Sequence, residues 1–146
     1  MPPAALAVSE ASALRYSAQR LSRRLRRQAV ADGGLSGPHL SALATVGRHT
    51  RLRLGDFARY EQVGKSTMTR LVATLETEGY LVRQVDPEDA RGFVVELTRH
   101  GRDVLQAASQ RQDSYLEAQL AALDPADRAA IRAAIPALER LLAIRA

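Results

Sequence analysis

The sequence predicts a mainly helical α+β fold: a winged helix-turn-helix set between helices that precede and follow it. Three observations carry that reading. Two short helical stretches meet at Gln62-Val63-Gly64, a tight turn. Leu81 to Val85 and Phe93 to Leu97 are rich in β-formers and flank the turn-prone stretch Asp86 to Gly92, which makes them a hairpin. Long amphipathic helices lie on both sides of that unit.

The elements follow in order. From about Glu10 to Ala31, Leu14, Ala18, Leu21 and Leu25 recur on one face of a first helix, and Asp32-Gly33-Gly34 ends it. Ser36 is a good N-cap for a second helix, with Pro38 in its first turn, where the missing N–H does no harm. Leu40, Leu43 and Gly47 then face inward. A third helix spans about Leu54 to Glu61, with Phe57 and Ala58 inside. The fourth runs from about Lys65 to Glu78 and buries Met68, Leu71, Val72 and Leu75, and Gly79 closes it. After the hairpin, Thr98 caps a fifth helix to about Leu123, with Leu105, Leu116, Leu120 and Leu123 on one side. Asp124 and Pro125 start a sixth, which carries Ile131, Ile135, Leu138 and Leu142 and should be kinked by Pro136. The chain therefore reads as one domain over 1–146, with the winged unit at 35–98. The helices at 10–31 and 99–146 are expected to pack on one another and on a second copy as dimerisation helices.

A chain of 146 residues is long enough to bury a proper core without covalent staples. It contains no cysteine, which excludes a disulfide framework, a thiolate metal site and a thiol sensor. His39, His49 and His100 are scattered, so no metal site is expected and no cofactor is called for. No apolar run reaches the length of a membrane span, and the N-terminus lacks the pattern of a secretory leader. A cytoplasmic protein without membrane contact is the expectation.

The net charge is +5, and 20 of the 21 basic residues are arginine. Residues 1–47 hold 6 basic and 2 acidic groups, residues 48–102 hold 10 and 8, and residues 103–146 hold 5 and 6. A polyanion partner fits this surplus, although the central unit is only mildly basic. The first helix has an acid-free run, Arg15, Arg20, Arg23, Arg24, Arg26 and Arg27. That run reads either as a solvated face balanced by a partner helix or as a contact for phosphate or an acidic effector.

Double-stranded DNA is the partner that the central unit suits. A helix enters the major groove and reads base edges with short polar donors near its N-terminus, supported by arginine. Lys65, Ser66, Thr67, Thr69 and Arg70 supply that set, while Met68 turns inward. Arg70 is the best base-reading candidate, because its fork can bond guanine O6 and N7 together. Arg91 can lie in the narrow minor groove, where the potential is most negative. Asp86, Glu88 and Asp89 would repel phosphate if left free, so one of them, Asp89, is expected to pair with Arg91 and orient it. Arg83 on the first hairpin strand is a candidate backbone contact or a solvated side chain.

Asp86-Pro-Glu-Asp-Ala-Arg91 followed by Val95-Glu-Leu-Thr98-Arg-His-Gly101 closely resembles the wing signature of the MarR family of bacterial transcription regulators. The helix Ser66-Thr-Met-Thr-Arg-Leu-Val72 and the exit Glu78-Gly-Tyr-Leu-Val-Arg83 fit the same family. The resemblance implies a winged-helix homodimer on a near-palindromic operator, built through the first, fifth and sixth helices. It also implies release of DNA by a small aromatic or phenolic effector, with repression as the usual outcome. By position it assigns DNA contact to Ser66, Thr67, Thr69, Arg70, Asp89 and Arg91.

One turn departs from the family pattern. An apolar residue and a glycine usually stand where this chain has Glu61 and Gln62. A half-buried Glu61 needs a partner, and Lys65 or Arg70 is nearest in sequence. Tyr16, Tyr60, Tyr80 and Tyr115 are candidates either for the core or for an effector site whose residues linear spacing does not reveal. No nucleophile elbow, zinc-protease motif, P-loop or dinucleotide fingerprint is present, so an enzyme is not expected. The alternative reading is a winged-helix protein-interaction module or a non-specific DNA-binding protein; the mild charge of residues 48–102 argues against purely electrostatic compaction.

Overall fold

Side-chain caps set the helix starts. Ser9 accepts the Ser12 N–H and opens α1 (Glu10–Ala29), and Ser36 accepts the His39 N–H ahead of α2 (Gly37–His49). The computed structural model describes residues 9–30 and 34–144, so the expected stop at Asp32-Gly33 lies outside the described residues. Next come β1 (Leu52–Arg53), α3 (Leu54–Glu61), α4 (Lys65–Thr77), β2 (Leu81–Asp86) and β3 (Asp89–Leu97). The last elements are α5 (Arg99–Ala121) and α6 (Pro125–Ala143), the latter opened by the Asp124 carboxylate accepting the Asp127 N–H at 2.9 Å. Pro136 sits inside α6, and the helix continues through it.

The described chain falls into two compact units, residues up to Gln112 and residues from Asp113 on, and the division lies within α5. The first unit holds the cores. Ala42, Leu43 and Val46 of α2 meet Phe57 and Ala58 of α3, the buried stripe Met68, Val72 and Leu75 of α4, and Leu52, Leu81 and Val95 of the sheet. Leu71 packs against this cluster while remaining half-buried. A smaller cluster joins Ala29, Leu40 and Ala108. Beside it Arg111 donates to the Ala29 carbonyl at 2.6 Å and Gln112 to the Leu25 carbonyl at 3.1 Å. The Arg111 bond satisfies a carbonyl that the end of α1 would otherwise leave orphaned, and the Gln112 bond adds a second contact one turn earlier.

The sheet has the order β1-β3-β2, all antiparallel. Strand β1 was not expected: it is two residues long, Leu52 facing Val95 and Arg53 facing Val94, too short to show a period. It is reached through Thr50, whose φ of 62° and ψ of −57° close a three-residue turn with the Arg51 N–H on the His49 carbonyl. A β-branched residue is strained there.

The hairpin differs from the expected one in its turn. Val85 pairs with Phe93 and Asp86 with Asp89, so only Pro87 and Glu88 form the tip, and Ala90, Arg91 and Gly92 form a bulge in β3. Arg91 is thus carried by a strand irregularity rather than by the tip.

Thr98 locks the exit of the wing to the end of α4. Its N–H bonds the Tyr80 carbonyl at 3.1 Å, its hydroxyl donates to the Gly79 carbonyl, and the same oxygen accepts the Gly101 N–H at 3.0 Å. Gly79 has a φ of +82°, the left-handed conformation needed where α4 turns into β2.

The apolar stripe of α1 is not buried within the chain. Leu14 and Leu21 are more than two-fifths exposed, and Leu25 is half-buried. In the second unit Ile131, Ile135, Leu138 and Leu142 of α6 are all exposed.

Candidate nucleic-acid interface

Helical geometry sorts the side chains of α4. Met68, Val72 and Leu75 are fully buried and fix the orientation of the helix on α2 and α3. At 100° per residue, Ser66 and Arg70 then lie on the opposite, open face, followed by Ala73 and Thr77. Thr69 flanks this face on one side and Thr67 on the other. Lys65, Ser66, Thr67, Thr69 and Arg70 are all exposed. Among the described residues Lys65 and Arg70 have no acid within ion-pair distance.

The hydroxyls are not equivalent. Thr69 donates to the Lys65 carbonyl at 2.9 Å, so its proton is committed to its own helix. Thr67 instead borders a cleft of about 810 Å³ between α4 and α1, α2 and α5. The open cation of Arg70 and the hydroxyl of Ser66 remain as the central polar groups of the face.

The wing is organised by Arg53, a residue the sequence reasoning missed. Its guanidinium donates to both Asp86 oxygens, at 2.5 and 3.4 Å, and to Glu88 Oε2 at 2.5 Å. Asp86 also accepts the Glu88 N–H at 2.9 Å. The Arg53 hydrogen bond, then that backbone N–H, hold the Asp86 carboxyl below the usual aspartate range, and the Arg53 pKa is raised in return. Two of the three wing acids are thereby spent on Arg53.

The expected pairing of Asp89 with the Arg91 guanidinium is not made. Asp89 Oδ1 accepts the backbone N–H of Arg91 at 3.0 Å, an Asx turn that shapes the bulge. No acid lies within ion-pair distance of the Arg91 guanidinium among the described residues, and the side chain is exposed. Arg83 is not simply solvated: its Nε lies 2.8 Å from Glu76 Oε2, and its guanidinium covers the Phe93 ring at 4.5 Å. It ties the hairpin to α4.

Glu61 also has other partners than expected. Ser41 donates to its Oε2 at 3.0 Å and Thr45 to its Oε1 at 2.5 Å, both from α2 rather than from Lys65 or Arg70. The tyrosines do not line the cleft; Tyr60 stacks on His49 and Tyr80 on His100 at centroid distances of 4.5 and 4.8 Å. Among the described residues no three His, Asp or Glu side chains gather as metal ligands, and no helix is long and apolar enough to cross a membrane.

A helix-turn-helix whose second helix offers an open polar face, followed by a hairpin carrying an unpaired arginine, defines a winged-helix DNA-binding protein. The sequence pattern of the MarR family matches residues 33–92. An HTH-type transcriptional regulator of Mycobacterium bovis, Mb0904, is 34% identical over 125 residues, covering 85% of this chain and 86% of the relative. A transcriptional regulator of known structure from Pseudomonas aeruginosa is 31% identical with a TM-score of 0.79, covering 92% of this chain and 95% of that one. The fold also matches a variant of MepR from S. aureus solved bound to an oligodeoxyribonucleotide, at 18% identity and a TM-score of 0.66, covering 92% and 98% of the two chains. The chain belongs to the MarR family, and it is a DNA-binding transcriptional regulator rather than an enzyme.

Proposed function

We propose that this protein is a homodimeric repressor that reads a near-palindromic operator in cytoplasmic double-stranded DNA and is released by a small molecule. The observation that carries the reading is the pairing of an open Ser66–Arg70 face with an unpaired Arg91 on the wing. In this reading α4 lies in the major groove, where Arg70 reads a base edge and Ser66 a base or phosphate. Lys65, Thr67 and Thr69 contact the backbone or groove edges. Arg91 enters the flanking minor groove from a bulge shaped by Asp89. Arg83 acts through its bracing of the hairpin and reaches phosphate only with its outer nitrogens.

A second copy is supported by the exposed apolar residues of α1 and, separately, of α6, which an isolated chain would leave in water. Two-fold symmetry then sets half-sites about one helical turn apart. The cleft beside Thr67 supports effector control. It is of ligand size, and its walls include Val63 from the reader turn and Leu71 from α4. A molecule seated there touches the elements that aim the reading helix.

Gel shifts on the gene's own upstream region at two salt concentrations, with competitor DNA, test the reading. Specific binding survives salt and competitor better than non-specific binding. A complex containing one protomer, or equal affinity for random DNA, would overturn it.

A further inference from the structure

Among the described residues, the cleft beside the reading helix has one acid on its walls, Glu61, the last residue of α3. Its two oxygens take hydroxyl protons from Ser41 and Thr45, and both partners are neutral. Arg48 bonds the Thr45 hydroxyl at 3.0 Å rather than the carboxylate. Among the described residues no cationic nitrogen lies within ion-pair distance of Glu61. A carboxylate can accept about four hydrogen bonds, and only two sites are filled here. Half-buried beside Val63 and Leu71, this charge lacks the charged donor that such a position favours.

The other polar walls are less able to select a ligand. Ser36 is occupied as the α2 cap, and Gln112 donates to the Leu25 carbonyl. Arg26 is exposed on the arginine-rich face of α1, where solvent screens it. Glu61 is instead held in place by two hydroxyls, so it is the fixed charge that a ligand meets.

Resting on the reading of this cleft as the effector site, we infer that its ligand is an organic amine: an apolar or aromatic body carrying a protonated nitrogen that donates to Glu61. This narrows the small aromatic or phenolic effector implied by the family resemblance to a cationic one. Because Glu61 is followed directly by the turn that aims α4, an ammonium drawing on its carboxylate competes with Ser41 and Thr45 for the position of that turn.

Three probes with one apolar body separate the possibilities: 1-naphthylmethylamine, 1-naphthalenemethanol and 1-naphthoate, titrated calorimetrically into the full-length protein. The expected result is binding of the amine about tenfold tighter than the alcohol, because the ammonium adds a full opposite charge to the hydrogen bond that both probes donate to the carboxylate. Glu61→Gln abolishes that preference, bringing the amine to the affinity of the alcohol; Glu61→Leu serves if the glutamine variant does not fold. No binding of the amine, equal or tighter binding of the naphthoate or alcohol, or an amine affinity indifferent to both Glu61 variants overturns the inference. Ser109→Trp, on the α5 wall, tests the underlying reading. A probe weakened by that substitution keeps the cleft as a ligand site even where the amine preference fails, whereas probes that bind it unchanged remove the cleft itself.

Discussion

Asp86 accepts the Nε–H of Arg53 at 2.5 Å while only 4% of the aspartate remains exposed. The pair joins the outer end of β2 to β1, the strand that follows the turn after α2, and so anchors the wing to the helical core. The same carboxylate caps the Glu88 N–H, which shapes the hairpin tip. One buried acid therefore ties the outer end of the wing to β1 and orders its turn.

That relationship makes the wing sensitive to acid. The folded Asp86 pKa is lowered, so its stabilisation is complete above the unfolded aspartate value and is lost as pH falls through the lowered folded value. Asp86→Asn should flatten the decline of stability as pH falls below the unfolded aspartate value of about 4. At neutral pH the same variant should bind operator DNA more weakly, because the wing loses its anchor. Urea unfolding across pH tests the first expectation, and an acid limb identical to that of the original protein would assign it to other groups.

Arg70 and Arg91 should fail in different ways. Arg70→Ala is expected to cost on the order of 1–3 kcal/mol of operator binding and to relax specificity at one base position. Arg91→Ala should weaken binding mainly at flanking A·T-rich steps with a narrow minor groove. Selection from randomised operators distinguishes them; an equal loss on all sequences for Arg70→Ala would remove its base-reading role.

Gly101 has no room for a side chain. A Cβ there would stand 2.2 Å from the Tyr80 carbonyl oxygen, which is backbone and cannot rotate aside. Gly101→Ala should destabilise the protein by about 3 kcal/mol, the upper end of overpacking penalties. Denaturant titration measures this, and a loss under about 1 kcal/mol would mean that the α5 start shifts freely.

Gln62 occupies a glycine-like position, with φ 55° and ψ 41°. Gln62→Gly should raise stability by roughly 0.5–1 kcal/mol, because removing the Cβ strain outweighs the added freedom of the unfolded chain. Gln62→Val should destabilise, since a β-branched residue tolerates that conformation least. A destabilised glycine variant would show that the glutamine side chain holds the turn in some other way.

Most of the helical frame was legible because its signals are local. The caps at Ser36, Thr98 and Asp124 and the 3.6-residue stripe of α4 each act within a few residues. Strand β1 was not legible, because Leu52 and Arg53 gain strand character only by pairing with β3. The reading residues on α4 were recognisable as types, but their division was not. Thr67 borders the cleft and Thr69 bonds its own backbone, facts that depend on what the helix packs against and on rotamer choice.

Helix starts, the hairpin after the second reader helix and the polar face of that helix can all be read from the chain alone. Those follow from periodicity, capping and turn chemistry, which operate between neighbours. Only the folded chain decided the long-range polar partners. Ser41 reaches Glu61 across 20 residues and Arg53 reaches Asp86 across 33, so neither partner could be chosen by proximity in the chain. Among the described residues it thereby also left the Arg91 charge unpaired: Arg53, brought in from β1, takes Asp86 and Glu88, while Asp89 is turned onto the Arg91 backbone N–H.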